Sequence, residues 1–307
     1  MKDKIKKLLE TAKSLSEAAK KQADSGSFSH RLAAESFESH MADLQQIQNT
    51  ESTLTYFELI DFRLKSSALS SGTVPLNLIA KASESIRKML GYSALRLMQG
   101  GINRSRVPQD LYGSLNLRLA GLLPGSSRII VSANADRDMY GYGLASQALQ
   151  RIFAVLESQG TGDNFLEAVT VLGPSGAKHL RDLLRLISEQ SAEAEFTWKY
   201  AGEKAGYWNG TKDAIDSVVS ALDVTEISEK QTETLFGKIE VLSKRERIEL
   251  RTPENRIVRI LYPNRLLSVV ATLHLEQEVS LKVQVSETLN PLTSESSTFY
   301  ELVEVFG

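Results

Sequence analysis

The spacing of apolar residues changes along this chain, and that change constrains the fold more than any other feature. Up to about residue 225, helical patterns are mixed with short strand-like stretches. From residue 237 onward, apolar residues fall mainly at alternate positions, which is typical of β-strands with one buried face. Because helices and strands do not follow a regular βαβ repeat, the sequence predicts an α+β fold rather than a doubly wound parallel sheet.

Three domains follow from this pattern. Residues 1–52 contain two helical patterns around a polar break and are predicted to form a helical hairpin. Residues 53–225 are predicted to form a central α+β domain. Residues 233–307 hold a run of short strands and are predicted to form a small β-barrel of the SH3 or OB kind. The polar stretch Glu226–Thr234 is interpreted as the linker between the last two domains.

The first predicted helix, over residues 1–22, is amphipathic and rich in lysine. Its apolar face comprises Ile5, Leu8, Leu9, Ala12, Leu15 and Ala19. A helix of this length is marginal in water on its own, so the narrow apolar face must bury against its own domain or a second subunit. We therefore predict a protein partner or self-association through residues 1–22. The alternative is a basic arm for an anionic membrane surface or nucleic acid.

Composition excludes several classes of protein. With no cysteine, the chain has no disulfide, no thiol nucleophile and no Cys-ligated metal. Its four histidines lack metal-ligand spacing, so we predict no metal and no cofactor. A net charge of -2 excludes a protein that coats nucleic acid with its whole surface. No stretch approaches the ~20 apolar residues of a transmembrane helix, and the lack of cysteine favours a reducing, bacterial-type cytoplasm.

Two segments ahead of predicted helices contain residues suited to binding an anion or a nucleotide. Tyr140 and Tyr142 alternate with glycines just before a predicted helix. The backbone N–H groups of such a loop would bind an anion, and the two tyrosines would stack on the base of a nucleotide. Ser175 and Lys178 have the residue types of a phosphate-binding loop without its spacing. The alternatives are that the tyrosines cover the sheet and that Ser175 is a helix N-cap.

The region Asp136–Gly143 supports a separate hypothesis, a nucleotide-acting enzyme. Asp136 and Asp138 follow Gly125-Ser126 at a spacing that imitates the nucleotidyltransferase pattern, in which two carboxylates on one strand face hold magnesium. Here the Gly-Ser pair lies in a predicted hairpin turn and precedes a strand instead of a helix. This context favours a loop at the end of a strand.

Two further groups of residues have competing interpretations. His179 and Arg181 could act with Asp182, but neighbours in sequence on one helix are expected on different faces, so a Ser–His–Asp site would need distant segments. Trp198 and Trp208 flank a predicted loop that contains Lys204 and Tyr207. They form either a stacking site or, as we favour, a plug at the junction between domains.

Charge is unevenly distributed over the C-terminal strands. Residues 238–265 hold eight Lys or Arg against four Glu, whereas residues 266–307 hold one Lys against six Glu. A small barrel with one basic side could bind nucleic acid. The candidate nucleic-acid-binding residues are Arg247, Arg251, Arg256 and Arg259. The alternative is cross-strand Arg–Glu pairing, which the interleaved glutamates favour.

The sequence shows no catalytic constellation, and no catalytic residue is predicted. We therefore expect a non-enzymatic binding or assembly protein that recognises a macromolecular partner. A nucleic-acid-binding protein that uses the basic strands of the barrel is the first alternative. A nucleotide-acting enzyme that uses the Asp136–Gly143 region is the second.

Overall fold

The structure is a computed structural model in which residues 2–23, 37, 41, 57–66, 74–100, 106–123, 127–135, 143–200, 203–243, 247–291 and 294–306 are described. The chain forms two compact units, Met1–Tyr56 and Phe57–Gly307. Both helices and sheets contribute, so the α+β prediction is confirmed. Among the described residues, no helix is both long and apolar enough to cross a membrane.

In the first unit the described element is helix α1 (Lys2–Ala23), close to the predicted bounds. It buries a stripe of small side chains at helical spacing: Ala12, Ser16 and Ala19. Leu15, a member of the predicted apolar face, is 46% exposed. The side chains of Ile5, Leu8 and Leu9, and most of the second helix of the predicted hairpin, lie outside the described residues.

The second unit contains an antiparallel five-stranded sheet. Its strands are β1 (Phe57–Lys65), β2 (Arg118–Leu123), β3 (Ser127–Asn134), β4 (Glu193–Tyr200) and β5 (Glu203–Gly210). They are hydrogen-bonded in the order β2-β3-β1-β4-β5, so β1 is the central strand. Ile60 of β1 lies opposite Val131 on one side and Trp198 on the other.

Helices accompany this sheet and share its hydrophobic core. They are α2 (Leu76–Gln99), α3 (Gln109–Leu115), α4 (Leu144–Glu157), α5 (Gly162–Leu172), α6 (Pro174–Glu189) and α7 (Lys212–Val224). Gly173 separates α5 from α6 with a φ of 82°, a conformation that favours glycine. An added Cβ there would lie 2.8 Å from Cδ of Arg96. Glycine at this position therefore allows both the turn and the close approach of α2.

The C-terminal strands form a second sheet around a separate hydrophobic core. They are β6 (Glu226–Ser243), β7 (Arg247–Arg251), β8 (Ile257–Leu261), β9 (Glu278–Asn290) and β10 (Glu295–Phe306). A 3-10 turn (Asn264–Leu266) and the short helix α8 (Leu267–Val270) follow β8. The pairings run β10-β8-β7-β6-β9, and β9 also pairs with β10, so the strands close into a ring. We call this element the strand ring.

The strand ring is joined to the helices by polar contacts. Thr170 of α5 and Thr288 of β9 are buried and hydrogen-bonded through their hydroxyl groups. Arg96 of α2 forms an ion pair with Glu301 of β10 at 3.4 Å, and both side chains are largely buried. The strand ring and the helical layer therefore meet through specific side chains within one unit.

The predicted linker Glu226–Thr234 is wrong as local structure, because these residues form the first half of the 18-residue strand β6. Ile227 lies opposite Thr288 of β9 and packs against the core of the five-stranded sheet. The segment looks like a linker because it has few apolar side chains, but backbone pairing with β9 determines its structure. The domain boundary near this segment stays a prediction.

The predicted loop around Lys204 and Tyr207 is also wrong, since it is strand β5. The tryptophans do not plug a junction between domains. Trp198 packs on Phe153 with ring centroids 5.9 Å apart, and its indole N–H donates to Glu58 at 2.6 Å. Trp208 is buried in the same core. Neither tryptophan is exposed enough to stack on a ligand.

Candidate functional site

The five-stranded sheet has two chemically different faces. On β1, the side chains of Ile60, Phe62 and Leu64 are buried in the core that the helices share. Alternate residues of a strand point to opposite faces, so Asp61, Arg63 and the residues in register with them lie on the other side. We call this other side the open face, because many of its side chains are exposed or only half-buried.

The open face combines charged side chains with uncharged ones such as Leu59, Ile130 and Thr197. Its positively charged residues are Arg63, Lys65, Arg118, Arg128, Lys199 and Lys204. Its carboxylates are Asp61, Glu193 and Glu195. Cations therefore outnumber carboxylates two to one, which gives this surface a positive field although the whole chain is slightly negative.

Asp61 lies at the centre of the open face and is 6% exposed. The guanidinium of Arg128 donates to both of its carboxylate oxygens, with Nε 2.5 Å from Oδ1. The ammonium of Lys199 is 3.5 Å from Oδ2. A buried carboxylate is tolerated only where cations and hydrogen bonds compensate it, and these two side chains supply that compensation.

Glu195, on the neighbouring strand, forms a second cluster. Its Oε1 is 2.6 Å from Nζ of Lys65, and its Oε2 is 3.5 Å from Nη1 of Arg63. The hydroxyl of Tyr207 donates to Oε1 at 3.5 Å. The hydrogen bond from Lys65 is the main reason that the pKa of Glu195 lies below its ordinary value. In the two clusters together, two carboxylates form ion pairs with four cations.

Tyr207 is the large aromatic side chain on the exposed edge strand of this face, and it is 39% exposed. The ammonium of Lys204 lies 4.1 Å from the centroid of its ring. An exposed aromatic ring with a cation beside it can bind a ligand that carries both a negative charge and a planar group. The cation contacts the charge, and the ring stacks on the planar group.

The predicted basic residues of the strand ring are mostly paired with glutamates. Arg251 donates through Nε to Glu240 at 2.6 Å. Arg247 and Arg259 share Glu249, at 3.4 and 3.7 Å. Arg256 lies in the turn between β7 and β8. This geometry supports the pairing interpretation, while contact with nucleic acid stays a prediction.

The predicted anion-binding segments have different outcomes. Tyr140, Tyr142 and most of the Asp136–Gly143 region lie outside the described residues. The N-cap role of Ser175 is wrong, because Gly173 precedes α6 and Ser175 follows Pro174 within the first turn. Lys178 is exposed one turn further along α6. Anion binding by Ser175 and Lys178 stays a prediction.

A cleft of about 540 Å³ lies between α2 and α6. Its lining residues are Ala80, Lys81, Glu84, Ser85, Lys88, His179, Asp182, Arg185, Leu186 and Glu189. His179 and Asp182 meet here with Nδ1 3.6 Å from Oδ2, so the expectation that they lie on different faces is wrong. Residues three apart in a helix share a face. The separation exceeds hydrogen-bond distance, so the pair is not arranged as in a catalytic triad.

Two charged residues of this cleft are paired with residues beside it. Arg87 donates to Glu84 at 2.8 Å and is the main cause that lowers the pKa of Glu84 to about 2. Arg185 donates to Asp223 at 2.6 Å. Ion pairs within the chain therefore compensate Glu84 and Arg185.

His179 makes folding stability depend on pH. Burial is the main cause that lowers the pKa of His179. The positive charges of Lys88 and Lys178 lower this pKa further, whereas the negative charges of Asp182 and Glu84 raise it. The unfolded chain therefore binds a proton more readily, and stability falls as the pH drops below about 6.5. We expect His179→Gln to flatten this slope between about pH 7 and 5 in denaturation curves. His274→Gln, in an exposed turn, is the matched control variant.

Sequence reasoning missed the open face. Charged residues alternate with apolar ones in β1 and β4, and this alternation is visible in the sequence. The pairing that joins them is not, because Asp61 and Arg128 are 67 residues apart. Comparison with protein families, curated proteins and solved structures finds no match for this chain.

Proposed function

We propose that this chain is a non-enzymatic binding protein that recognises a macromolecular partner, and that the partner is nucleic acid bound on the open face. The observation that carries this proposal is the two-to-one excess of cations over carboxylates on a sheet face where many side chains are accessible. Phosphates of a nucleic acid release counterions when they meet such cations, and this release supplies most of the affinity in non-specific complexes.

The open face adds an exposed aromatic ring to its cations, since Tyr207 is 39% exposed and Lys204 lies 4.1 Å from its centroid. Arg63 of the open face is the more distant of the two cations at Glu195, and it is 48% exposed. Five strands also span roughly 19 Å at their usual spacing, enough to support several nucleotides.

Two further parts of the proposal concern the whole chain. Self-association through α1 is supported by Leu15, an exposed apolar side chain that a second copy would cover. A cytoplasmic location is supported by the complete lack of cysteine, which fits a reducing compartment. Both are independent of the open face.

The test compares two matched double variants of the full chain. Arg63→Ala/Lys199→Ala removes two cations from the open face and leaves each carboxylate its nearer partner, Lys65 or Arg128. Arg247→Ala/Arg259→Ala removes two cations from the strand ring. Binding of a labelled oligonucleotide of about 16 residues is measured by fluorescence anisotropy from about 50 to 200 mM salt.

We expect wild-type affinity to fall steeply with salt. The open-face variant should bind more weakly and lose about 0.7 units of log–log slope per phosphate contact removed. The strand-ring variant should bind like wild type and lose little stability, since exposed ion pairs contribute about 0–1 kcal/mol. Wild-type protein that binds no oligonucleotide at any salt concentration contradicts the proposal. Loss of binding only in the strand-ring variant moves the site to Arg247 and Arg259.

A further inference from the structure

We infer that the open face binds a single strand in preference to a duplex, with one base stacked on the ring of Tyr207. This inference rests on the proposed function and specifies the ligand of the same site. It starts from the arrangement of Tyr207 among the cations of the open face.

Strand register places cations on both sides of Tyr207. Tyr207 lies opposite Thr197 of β4, in the same row as Asp61. The row on one side contains Asn209 of β5, Glu195 of β4 and Arg63 of β1, and the row on the other contains Lys204 of β5 and Lys199 of β4. Rows on one face of a sheet are two residues apart, or about 7 Å. A ligand that runs obliquely from Arg63 on β1 to Tyr207 and on to Lys204 on β5 therefore meets cation, aromatic ring and cation in turn. On the way it passes Glu195, whose charge Lys65 and Arg63 compensate.

This order matches the chemistry of one extended strand. Each nucleotide of a single strand carries a phosphate and a base whose π-face is available for stacking. A base placed on Tyr207 leaves the phosphates before and after it near Arg63 on one side and Lys204 on the other. A duplex keeps its base faces stacked inside the helix, so Tyr207 would gain no base contact from it.

The ring of Tyr207 is held in place before any ligand binds. Its hydroxyl donates to Glu195 at 3.5 Å, and Lys204 lies 4.1 Å from its centroid. Because the ring is already oriented, stacking requires little additional ordering of the protein. The hydroxyl bond orients the ring and Lys204 covers one of its faces, so the opposite face supplies the stacking surface.

The experiment separates base stacking from phosphate contact. The full chain and the variants Tyr207→Leu and Tyr207→Phe are titrated with three probes: labelled oligothymidine, an abasic strand of equal length, and a duplex. We expect the wild-type protein to bind oligothymidine more tightly than the abasic strand or the duplex. Tyr207→Leu should weaken the binding of oligothymidine about tenfold. Tyr207→Phe should stay within about twofold of wild type, because it keeps the ring. Affinity for the abasic strand should be equal in all three proteins.

Other outcomes overturn the inference in distinguishable ways. If the duplex binds as tightly as oligothymidine and Tyr207→Leu has no effect, single-strand stacking fails while nucleic-acid binding stands. If no probe binds, the proposed function fails as well. If polyglutamate competes as well as oligothymidine, the open face is a site for acidic protein, and both the stacked base and the nucleic-acid partner are wrong.

Discussion

Phe62→Ala is expected to lower the free energy of unfolding by about 3–5 kcal/mol, the usual cost of removing a fully buried aromatic side chain. Phe62 is fully buried in the central strand β1, and its ring centroid is 4.7 Å from that of Phe196. Both neighbouring strands and the helical layer surround this position, so the cavity has little room to collapse. The measurement is urea denaturation followed by fluorescence and circular dichroism.

The control for Phe62→Ala is Ile257→Ala on strand β8. Ile257 is 50% exposed, so its truncation should cost less than about 1 kcal/mol. A Phe62→Ala protein that unfolds at the wild-type urea concentration would show that β1 is not the packed centre of the sheet. Because the strand ring has its own core, a second transition that Phe62→Ala does not shift belongs to that ring.

Arg128→Ala is the second substitution with a large expected effect. It leaves the carboxylate of Asp61 buried with Lys199 as its remaining cation among the described residues, at 3.5 Å. Breaking a buried ion pair by removing one partner typically costs about 3–5 kcal/mol. Arg128 is 24% exposed and Lys199 remains, so we expect a smaller loss of about 2–3 kcal/mol.

The origin of this loss is tested by removing the other charge as well. In Arg128→Ala/Asp61→Asn the buried charge at residue 61 is removed as well, so the double variant should be more stable than Arg128→Ala alone. Arg63→Ala is the matched control, because Arg63 is exposed and its loss should cost less than about 1 kcal/mol. A double variant less stable than Arg128→Ala would show that the Arg128 side chain contributes through packing and not through charge.

Periodicity predicted the elements whose burial is regular. In α6 the apolar residues Leu180, Leu183, Leu184 and Ile187 recur at helical spacing, and all four are buried. In β4 the buried residues Ala194, Phe196 and Trp198 alternate with charged or half-buried ones. Elements of this kind contain their own pattern, so the sequence alone identifies their type.

Elements that depend on close packing were not predictable in this way. Strand β5 contains Gly206 and Gly210, which look like turn residues. An added Cβ at Gly206 would lie 3.0 Å from the ring of Phe153, and one at Gly210 would meet Trp208. These glycines are compatible with a strand because large aromatic side chains occupy the adjacent space. Such a neighbour is unknown until the chain has folded.

The candidate site was unpredictable for a related reason. Each strand of the open face shows only an ordinary mixture of charged and apolar residues. The excess of positive charge arises when strands that are distant in sequence are placed side by side. Arg247 and Arg259, by contrast, belong to a cluster of basic residues in the sequence, and this clustering predicted a nucleic-acid-binding site. In the structure both residues are paired with Glu249.

The central position of β1 also determines the order in which this sheet can assemble on the ribosome. Asp61 lies opposite Thr197, so one edge of β1 has no native partner until synthesis has passed residue 197. At about 5–20 residues per second, this interval lasts roughly 7–30 s. Throughout it, the nascent polypeptide holds a strand with one apolar face and an unpaired edge, which is a substrate for chaperones and a hazard for aggregation.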